Sequence, residues 1–477
     1  MSHQDRVRKI AECSHAHDLH ATLQWLLTNV SLADSTFRQG CTWTPVRFVC
    51  AALLWAWSDE KTLADRFQIA RKIITYLFGK QHEPADSYQA FVKMLRKWTD
   101  PLRAALEAAF RQQMAEKLEG VWLVAGWLLF ACDGSRVDVP RTRQNELRYA
   151  PKSKLSRAAQ KRRRGAKKGC RSRERAAQEA RERKANIPRI WLTVLWHVGS
   201  GLPWDWRTGP SDSSERADLQ AMLSTLPSNG LITADAGFVG YDLWTTIRAA
   251  NHHLLVRVGS NVRLLKKLGC VRERDGLVYL WPDAAAQKRL PPLVLRLIVV
   301  HNGRHPIYLV TNVMNTHQLS DTKAAEIYRR RWGIEVFYRH CKQTFERRKL
   351  RSLNPDNAMV ELQWSLLAVW AMGLHSHHHL AKQGIAPERI SFAGVLRAYR
   401  RPMREYRCRP GAGERLTELL DHAIIDDYQR TNKTSRDYPR KKQEQSTGPP
   451  IILKATRAQV QRALDIKNET RKIRLTA

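Results

Sequence analysis

Apolar residues recur at three- and four-residue spacing through the first quarter of the chain, and this period predicts amphipathic helices. The longest such stretches are residues 44–58, 61–78 and 87–117. We therefore expect a helical N-terminal domain over residues 1–118. Its core is expected to include nearby tryptophans, namely Trp43, Trp55, Trp57 and Trp98.

After residue 118 the pattern changes to short apolar runs of the strand type, which alternate with helical stretches. Apolar runs lead into Asp133 and Asp235, and two adjacent strands joined by a glycine turn lie between them. This alternation predicts an α/β core. Short β runs at 261–315 predict a β-rich insertion in that core. The predicted boundaries are 119–260 for the first part of the core, 261–315 for the insertion, 316–385 for the second part and 386–477 for a helical, basic C-terminal region.

The net charge of the chain limits the classes of partner that we expect it to bind. With 81 Lys and Arg against 45 Asp and Glu, the formal net charge is +36. Such a chain attracts polyanions, and nucleic acid is favoured because bound cations release phosphate counterions. A membrane surface is the rival partner, but the longest apolar runs, at 121–132 and 364–374, are too short to span a bilayer. In the N-terminal domain, residues 59–73 could form a helix-turn-helix, and on that interpretation the domain binds DNA. The alternative is that these amphipathic helices are plain core.

The densest positive charge lies within the first part of the core. Residues 152–184 hold fifteen Lys and Arg against three Glu, with few apolar residues. A segment of this composition cannot bury enough surface to order itself alone. We interpret residues 151–186 as a basic arm that faces DNA. The alternative is a solvated run of charge.

Cysteine usage and the N-terminal sequence favour a reducing cytoplasm. The eight cysteines are scattered and include no CxxC pair, which argues against a zinc ribbon and a disulfide scaffold. The first residues lack the apolar core of a signal peptide. We therefore expect a cytoplasmic protein without a membrane partner.

A predicted helix at 321–348 carries the most informative group of side chains. The offsets of Tyr328, Arg331, Glu335 and Lys342 place them within an arc of roughly 60° on the helix surface. A carboxylate can hold a metal, whereas arginine, lysine and tyrosine can hold phosphate oxygens. The alternative is a solvated stripe in which Glu335 pairs with neighbouring arginines.

Three acidic residues are candidate metal ligands. Asp133 and Asp235 lie at the ends of predicted strands, and Glu335 lies on the predicted helix. If the fold brings them together, their oxygens can hold Mg²⁺ or Mn²⁺ for phosphoryl transfer. Gly134 and Gly237, beside the aspartates, would let a DNA strand come close. The alternative is that the aspartates are turn residues. Other acids compete for the role: Asp138, Asp242, Glu326 and Glu346.

These residues resemble the signature of DDE transposases of bacterial insertion sequences, in particular the insertion sequence four family. The third catalytic block of that family reads Tyr, two residues, Arg, three residues, Glu, six residues, Lys. Tyr328, Arg331, Glu335 and Lys342 match every spacing. The first block is matched by CDGSRVDVP and the second by LITADAGFVG. The resemblance spans about residues 120–350 and includes a β insertion before the glutamate.

The resemblance implies a ribonuclease-H-like catalytic core interrupted by the β-rich insertion. It implies that Asp133, Asp235 and Glu335 are catalytic and bind two Mg²⁺ or Mn²⁺ ions. The implied activity is metal-dependent cleavage of DNA at the ends of an insertion sequence, followed by strand transfer into target DNA. The implied partners are double-stranded terminal inverted repeats, target DNA and a second copy in a dimer on DNA, in a bacterial cytoplasm and at the nucleoid when bound.

The resemblance also implies DNA contacts for the other signature residues. Tyr328, Arg331 and Lys342 would bind phosphates at the transposon end, with Trp332 beside them. The alternative for Trp332 is packing of the helix on the sheet.

Two features depart from the family pattern. Relatives that flip a base carry a stacking tryptophan just ahead of the third block, where this chain reads HPIYLVTNV. Tyr308 or Trp281 would have to substitute for it. The basic arm is also longer than the family pattern.

The alternative functions are a metal-dependent DNA nuclease of the same fold and a transposase relic that binds DNA without catalysis.

Overall fold

The N-terminal helices form where the spacing of apolar residues predicts them. The computed structural model describes residues 14–32, 37, 41–80, 83–151, 187–302, 305–425 and 448–476, so the predicted basic arm lies outside the described residues apart from Pro151. The side chains of Thr44, Thr62 and Ser87 each cap a helix by accepting a backbone N–H three residues later. The first four helices are α1 (His15–Leu27), α2 (Pro45–Trp57), α3 (Leu63–Phe78) and α4 (Tyr88–Lys117).

The described residues also build one mixed sheet. Its ten strands are β1 (Leu129–Asp138), β2 (Arg189–His197), β3 (Leu202–Gly209), β4 (Leu231–Ala234), β5 (His253–Val258), β6 (Arg263–Lys266), β7 (Leu277–Leu280), β8 (Leu293–Asn302), β9 (His305–Thr311) and β10 (Ile451–Lys454). Their order across the sheet is β10-β6-β7-β8-β9-β5-β4-β1-β2-β3. β1, β4 and β5 are parallel, whereas β2 and β3 are antiparallel to their neighbours. The α/β prediction is confirmed.

Strand β1 carries Asp133 and continues past it. The predicted end of the strand at Asp133 is wrong, because β2 pairs with β1 as far as Asp138. The parallel neighbour β4 pairs with β1 only as far as Ala131, so Asp133 lies just beyond their shared ladder. Asp235 follows β4 directly. Because β1 and β4 are parallel, the two aspartates lie at the same edge of the sheet. The helices around these strands are α5 (Arg143–Tyr149), α6 (Glu215–Met222) and α7 (Tyr241–Ala249).

The strands of residues 261–315 extend the same sheet. β9 pairs antiparallel with β5 on one side and with β8 on the other. β7 and β6 continue beyond β8, and a short helix, α8 (Asp283–Gln287), precedes β8. The segment predicted as an insertion is therefore β-rich, and its strands lengthen the central sheet.

The prediction of a single helix at 321–348 is wrong. The chain forms α9 (Asp321–Arg330) and α10 (Gly333–Arg339), followed by a π-helical turn at His340–Thr344. Backbone hydrogen bonds between residues three apart, as in a 3₁₀ helix, join α9 to α10. At this junction Gly333 lies against the ring of Trp196, where a Cβ would stand 2.2 Å from a ring carbon. We attribute the break to this close approach, which a glycine permits.

A long apolar helix, α11 (Pro355–Ala381), ties the N-terminal helices to the rest of the fold. It packs against α2 and α4. Trp57 donates its indole N–H to the Ala368 carbonyl at 2.8 Å, and Trp364 donates to the Thr99 hydroxyl at 2.9 Å. None of the described helices is both long and apolar enough to cross a membrane. The last helices are α12 (Phe392–Arg404), α13 (Leu416–Asp421) and α14 (Arg457–Thr476).

Candidate active site

Three carboxylates from separate elements approach one another at the edge of the sheet. Asp133 lies on β1, and its Oδ1 accepts the Gly134 N–H at 2.9 Å. Asp235 begins a 3₁₀ turn after β4 and accepts the Gly237 N–H at 2.8 Å. Glu335 lies in the first turn of α10. Asp235 and Glu335 are close enough for their charges to raise the pKa of Asp133. The fold therefore groups the three acids that the sequence singles out.

The acids repel one another in the metal-free protein. Burial raises the pKa of Asp133 to about 6, and the charges of Asp235 and Glu335 add to that rise. The Gly134 N–H and the Arg331 guanidinium oppose it. Such a group of oxygen donors suits a hard divalent cation. Within the part of the chain that the structure describes, however, no three His, Cys, Asp or Glu side chains are already arranged to hold a metal ion.

Arg331 supplies positive charge within this acidic group. It is only 7% exposed, and its Nη2 lies 3.2 Å from Glu335 Oε1. Burial acts to lower the pKa of Arg331, but Tyr328, Glu335 and the two aspartates outweigh burial and raise it. The alternative pairing of Glu335 with an arginine is therefore present. Because Arg331 is buried against the aspartates, this pair is part of the acidic site and does not form a solvated stripe.

Tyr338 fixes α10 to the strands that carry Asp133. Its hydroxyl donates to the Asp133 carbonyl at 2.7 Å and accepts the Val194 N–H of β2 at 3.2 Å. Tyr338 is buried and follows Glu335 by three residues, so both lie on one side of the helix. This bridge sets the separation between Glu335 and Asp133. The sequence analysis missed Tyr338, because a tyrosine on an amphipathic helix carries no distinguishing signal.

The other signature cation also reaches β1. Lys342 lies in the π-helical turn, and its Nζ donates to the hydroxyl of Ser135. Burial lowers the pKa of Lys342, while Asp138 opposes that shift. On the other side of the acids, the Arg331 guanidinium lies 5.4 Å from the centre of the Tyr328 ring. Lys342, Arg331 and Tyr328 therefore border the three acids.

The aromatic residues near the site differ in exposure. Trp332 is 60% exposed, so the alternative that it packs the helix on the sheet is wrong. The ring of Trp196 holds that position, against the backbone of Gly333. Trp281 is buried and donates its indole N–H to the Leu290 carbonyl at 2.8 Å, so it is not free to reach the site.

A fourth acid, Glu215, reaches the same place and was missed by the sequence analysis. It is the first residue of α6, and its Oε1 would lie 2.6 Å from a Cβ on Gly134. Burial raises the pKa of Glu215 to about 7, and Asp133 and Asp235 add to that rise. The expected open approach for DNA is absent at Gly134, because Glu215 and Trp191 fill that space. An acid in the first turn of a helix is common, so the sequence alone does not mark this one.

The comparison with protein families shows which family the chain belongs to. The model of the Transposase DDE domain family matches residues 128–371, more than half of the 477-residue chain. The chain belongs to the Transposase DDE domain family. The matched range contains all of the acids described above, together with the residues of the Tyr–Arg–Glu–Lys signature. Transposases of this family generally use divalent metal ions, in agreement with the acidic donors.

Comparison with individual proteins finds more distant similarities. Transposase InsG for insertion sequence element IS4, from Escherichia coli (strain K12), is 26% identical over 221 residues. This alignment covers 44% of the chain and 49% of InsG, so the chain spans about half the length of that relative. Among solved structures, the piggyBac transposase in a cryo-EM synaptic complex with hairpin DNA superposes with a TM-score of 0.38 at 10% identity. That superposition covers 90% of this chain and 88% of the other.

Replacing Asp133 with asparagine should stabilise the metal-free protein at about pH 8. Folding raises the pKa of this carboxyl from 3.8 to about 6. At a pH above about 6 the carboxyl is charged in the folded protein, and this charge opposes folding by about 2–3 kcal/mol. Asparagine lacks the charge and still accepts the Gly134 N–H. Calorimetry in the presence of a chelator should show a higher unfolding temperature, and the gain should shrink as the pH falls through about 6 towards 4.

The matched control is Asp242→Asn, which removes an exposed acid from the first turn of α7. It should lower the unfolding temperature slightly, because the dipole of α7 stabilises this charge by about 0.3–1 kcal/mol. An Asp133→Asn protein that unfolds at or below the wild-type temperature at about pH 8 would contradict the electrostatic description of the site.

Proposed function

We propose that this transposase-family chain cleaves DNA at the ends of an insertion sequence and joins the freed end to target DNA. The observation that supports this most directly is the convergence of Asp133, Asp235 and Glu335 within the range of the family match. In the proposed reaction, water attacks a phosphorus at the element's end and releases a 3′-hydroxyl. That hydroxyl then attacks a phosphorus of the target and displaces the target's own 3′ oxygen.

We propose a ribonuclease-H-like core for the sheet β1–β5 and the helices packed on it. The support is topological: two parallel strands deliver Asp133 and Asp235 to one edge, and α10 delivers Glu335 to the same edge. On this proposal, residues 1–118 form a DNA-binding domain, although its helices share α11 with the core. The predicted basic arm, 151–186, would add positive charge beside the core.

We propose that Asp133, Asp235 and Glu335 bind Mg²⁺ or Mn²⁺, with two ions in the active complex. The fit rests on the oxygen donors and on the excess negative charge that raises the pKa of Asp133 despite the presence of Arg331. When bound, the ions activate the attacking oxygen and stabilise the leaving one. Glu335 would then share its carboxylate between the metal and Arg331, whose Nη2 lies 3.2 Å from Glu335 Oε1.

The remaining signature residues would hold the DNA. The guanidinium of Arg331 carries a positive charge close to Asp133 and Asp235, so it would attract a phosphate oxygen that approaches the acids. Lys342 is a point charge beside β1 that would offset the charge on the transferring phosphate. The exposed ring of Trp332 offers a stacking surface, and Tyr328 supports the Arg331 guanidinium from below.

The partners proposed for this site are double-stranded terminal inverted repeats and target DNA. The net charge of +36 supports a polyanionic partner. We further propose that two copies assemble on DNA, because a cut-and-paste reaction must process two ends of one element. Binding should therefore weaken steeply as salt increases.

A strand-transfer assay tests this function. The full-length protein is mixed with Mg²⁺, a target plasmid and a labelled duplex that ends in the inverted repeat flanking its gene. We expect joined product with this duplex and none with a duplex whose repeat is scrambled. Cleavage without joining would indicate a nuclease, and salt-sensitive binding without cleavage would indicate a relic. Either result would overturn the proposal.

A further inference from the structure

Glu215 is the acid to which the proposed reaction gives no role. It is half-buried at the start of α6, and its two oxygens face different neighbours. A Cβ on Gly134 would lie 2.6 Å from Glu215 Oε1, whereas a Cβ on Gly237 would lie 3.7 Å from Glu215 Oε2. The side chain therefore lies between Gly134, within β1, and Gly237, in the turn that follows β4.

Each of these glycines also borders one of the proposed metal ligands. Gly134 donates its N–H to Asp133 at 2.9 Å, and Gly237 donates its N–H to Asp235 at 2.8 Å. The Cβ position on Gly237 is 3.0 Å from Asp235 Oδ1 and 3.7 Å from Glu215 Oε2, so these two oxygens are separated by no more than the sum of those distances. Glu215 therefore borders both glycines whose N–H groups bind the aspartates.

The surroundings of Glu215 do not neutralise it. Within the described residues, no hydrogen-bond donor or ion-pair partner contacts its carboxylate. Asp218, one turn further along α6, accepts the Thr193 hydroxyl at 2.6 Å and adds a further negative charge near Glu215. Arg136 is the cation whose charge acts on Glu215, but it forms no ion pair with it and lies over the Trp191 ring at 4.9 Å.

The helix dipole does not account for this placement. A negative charge at the start of α6 gains about 0.3–1 kcal/mol from the dipole. A solvated side chain would gain as much, whereas Glu215 is folded over Gly134 towards two other acids. An acidic residue brought towards like charges without a counter-ion is unfavourable unless a cation joins the group.

We propose that Glu215 is a fourth acidic ligand of the metal centre and holds a divalent cation jointly with Asp133 and Asp235. This inference rests on the proposed function, because it requires the two aspartates to bind metal. It also gives Gly134 a specific role: any side chain there would displace the Glu215 carboxylate. The shared site has only oxygen ligands, as Mg²⁺ and Mn²⁺ prefer.

The test is calorimetric titration of Mn²⁺ into the full-length protein without DNA, which measures binding and not activity. Four proteins are compared at one pH and ionic strength: wild type, Glu215→Gln, Asp133→Asn and Asp212→Asn. Asp212 is an exposed acid three residues before Glu215, so its variant removes the same charge nearby without touching the site. We expect Glu215→Gln to raise the dissociation constant about tenfold or more and Asp212→Asn to leave it unchanged.

The outcomes separate this inference from the proposed function. If Asp133→Asn weakens Mn²⁺ binding and Glu215→Gln does not, the role of Glu215 is wrong and the proposed metal centre stands. If neither variant weakens binding, both are wrong. If Asp212→Asn and Glu215→Gln weaken Mn²⁺ binding equally, the effect comes from long-range charge, and the proposal that Glu215 binds the ion directly is wrong. Thermal unfolding with a chelator verifies folding, since glutamine retains the shape of the side chain and removes a repelled charge.

Discussion

Replacing Glu335 with glutamine should abolish DNA cleavage and joining while leaving DNA binding intact. On the proposed function, Glu335 is the member of the triad contributed by a helix, whereas Asp133 lies within β1 and Asp235 directly follows β4. Glutamine keeps the shape and can still accept the hydrogen bond that Arg331 Nη2 donates at 3.2 Å. It lacks the charge that a divalent cation requires, so we expect a loss of at least about 10³-fold in the rate of cleavage.

The matched control is Glu326→Gln on α9. Glu326 is exposed and lies 3.4 Å from Arg330, so its removal breaks a surface ion pair of the same kind outside the acidic group. Single-turnover cleavage and filter binding at fixed salt would measure both variants. We expect Glu326→Gln to cleave like wild type, and both variants to bind DNA within about twofold of wild type. Cleavage by Glu335→Gln at a tenth of the wild-type rate or more would remove Glu335 from the site.

The sequence singles out the three acids through the resemblance of their surroundings to the transposase signature. They are separated by 102 and 100 residues, so only the fold brings them together. The apolar runs that end near Asp133 and Asp235 predict strands but not their relative direction. The spacing from Tyr328 to Lys342 implies that Glu335 accompanies two cations. Both signals are local patterns, and the fold preserves them.

What the sequence could not predict depends on contacts between distant segments. We attribute the break before α10 to the close approach of the Trp196 ring to Gly333, and helical periodicity does not predict this contact. Tyr338 joins α10 to β1 and β2 through backbone groups, which no motif encodes. Glu215 faces the aspartates only because α6 packs against β1 and β2. An acid at a helix start looks the same in sequence whether its side chain meets solvent or other carboxylates.

A buried arginine beside the signature segment joins the candidate site to the N-terminal helices. Arg347 is 4% exposed and donates to the Ser365 hydroxyl at 2.7 Å, the Phe345 carbonyl at 2.9 Å and the Ala56 carbonyl at 2.9 Å. The Ala56 carbonyl lies in the last turn of α2, where the helix dipole is negative. Two more arginines donate to nearby carbonyls: Arg400 to Trp57, the last residue of α2, at 3.0 Å, and Arg66 to Glu60 in the loop after α2 at 2.8 Å.

Replacing Arg347 with alanine should destabilise the protein by about 3–5 kcal/mol, because three acceptors lose their donor and a cavity opens in the core. Burial lowers the pKa of Arg347 to about 9, and the charge of Arg66 adds to that shift, so the loss of repulsion between the arginines offsets part of the effect. Arg347→Lys should also be destabilising, since an ammonium cannot span three acceptors held by different segments.

The exposed neighbour Arg348 is the control, and Arg348→Ala should change stability by less than about 0.5 kcal/mol. Urea unfolding would measure all three, and an Arg347→Ala protein as stable as Arg348→Ala would show that the junction between α2, α11 and the signature segment does not depend on this guanidinium.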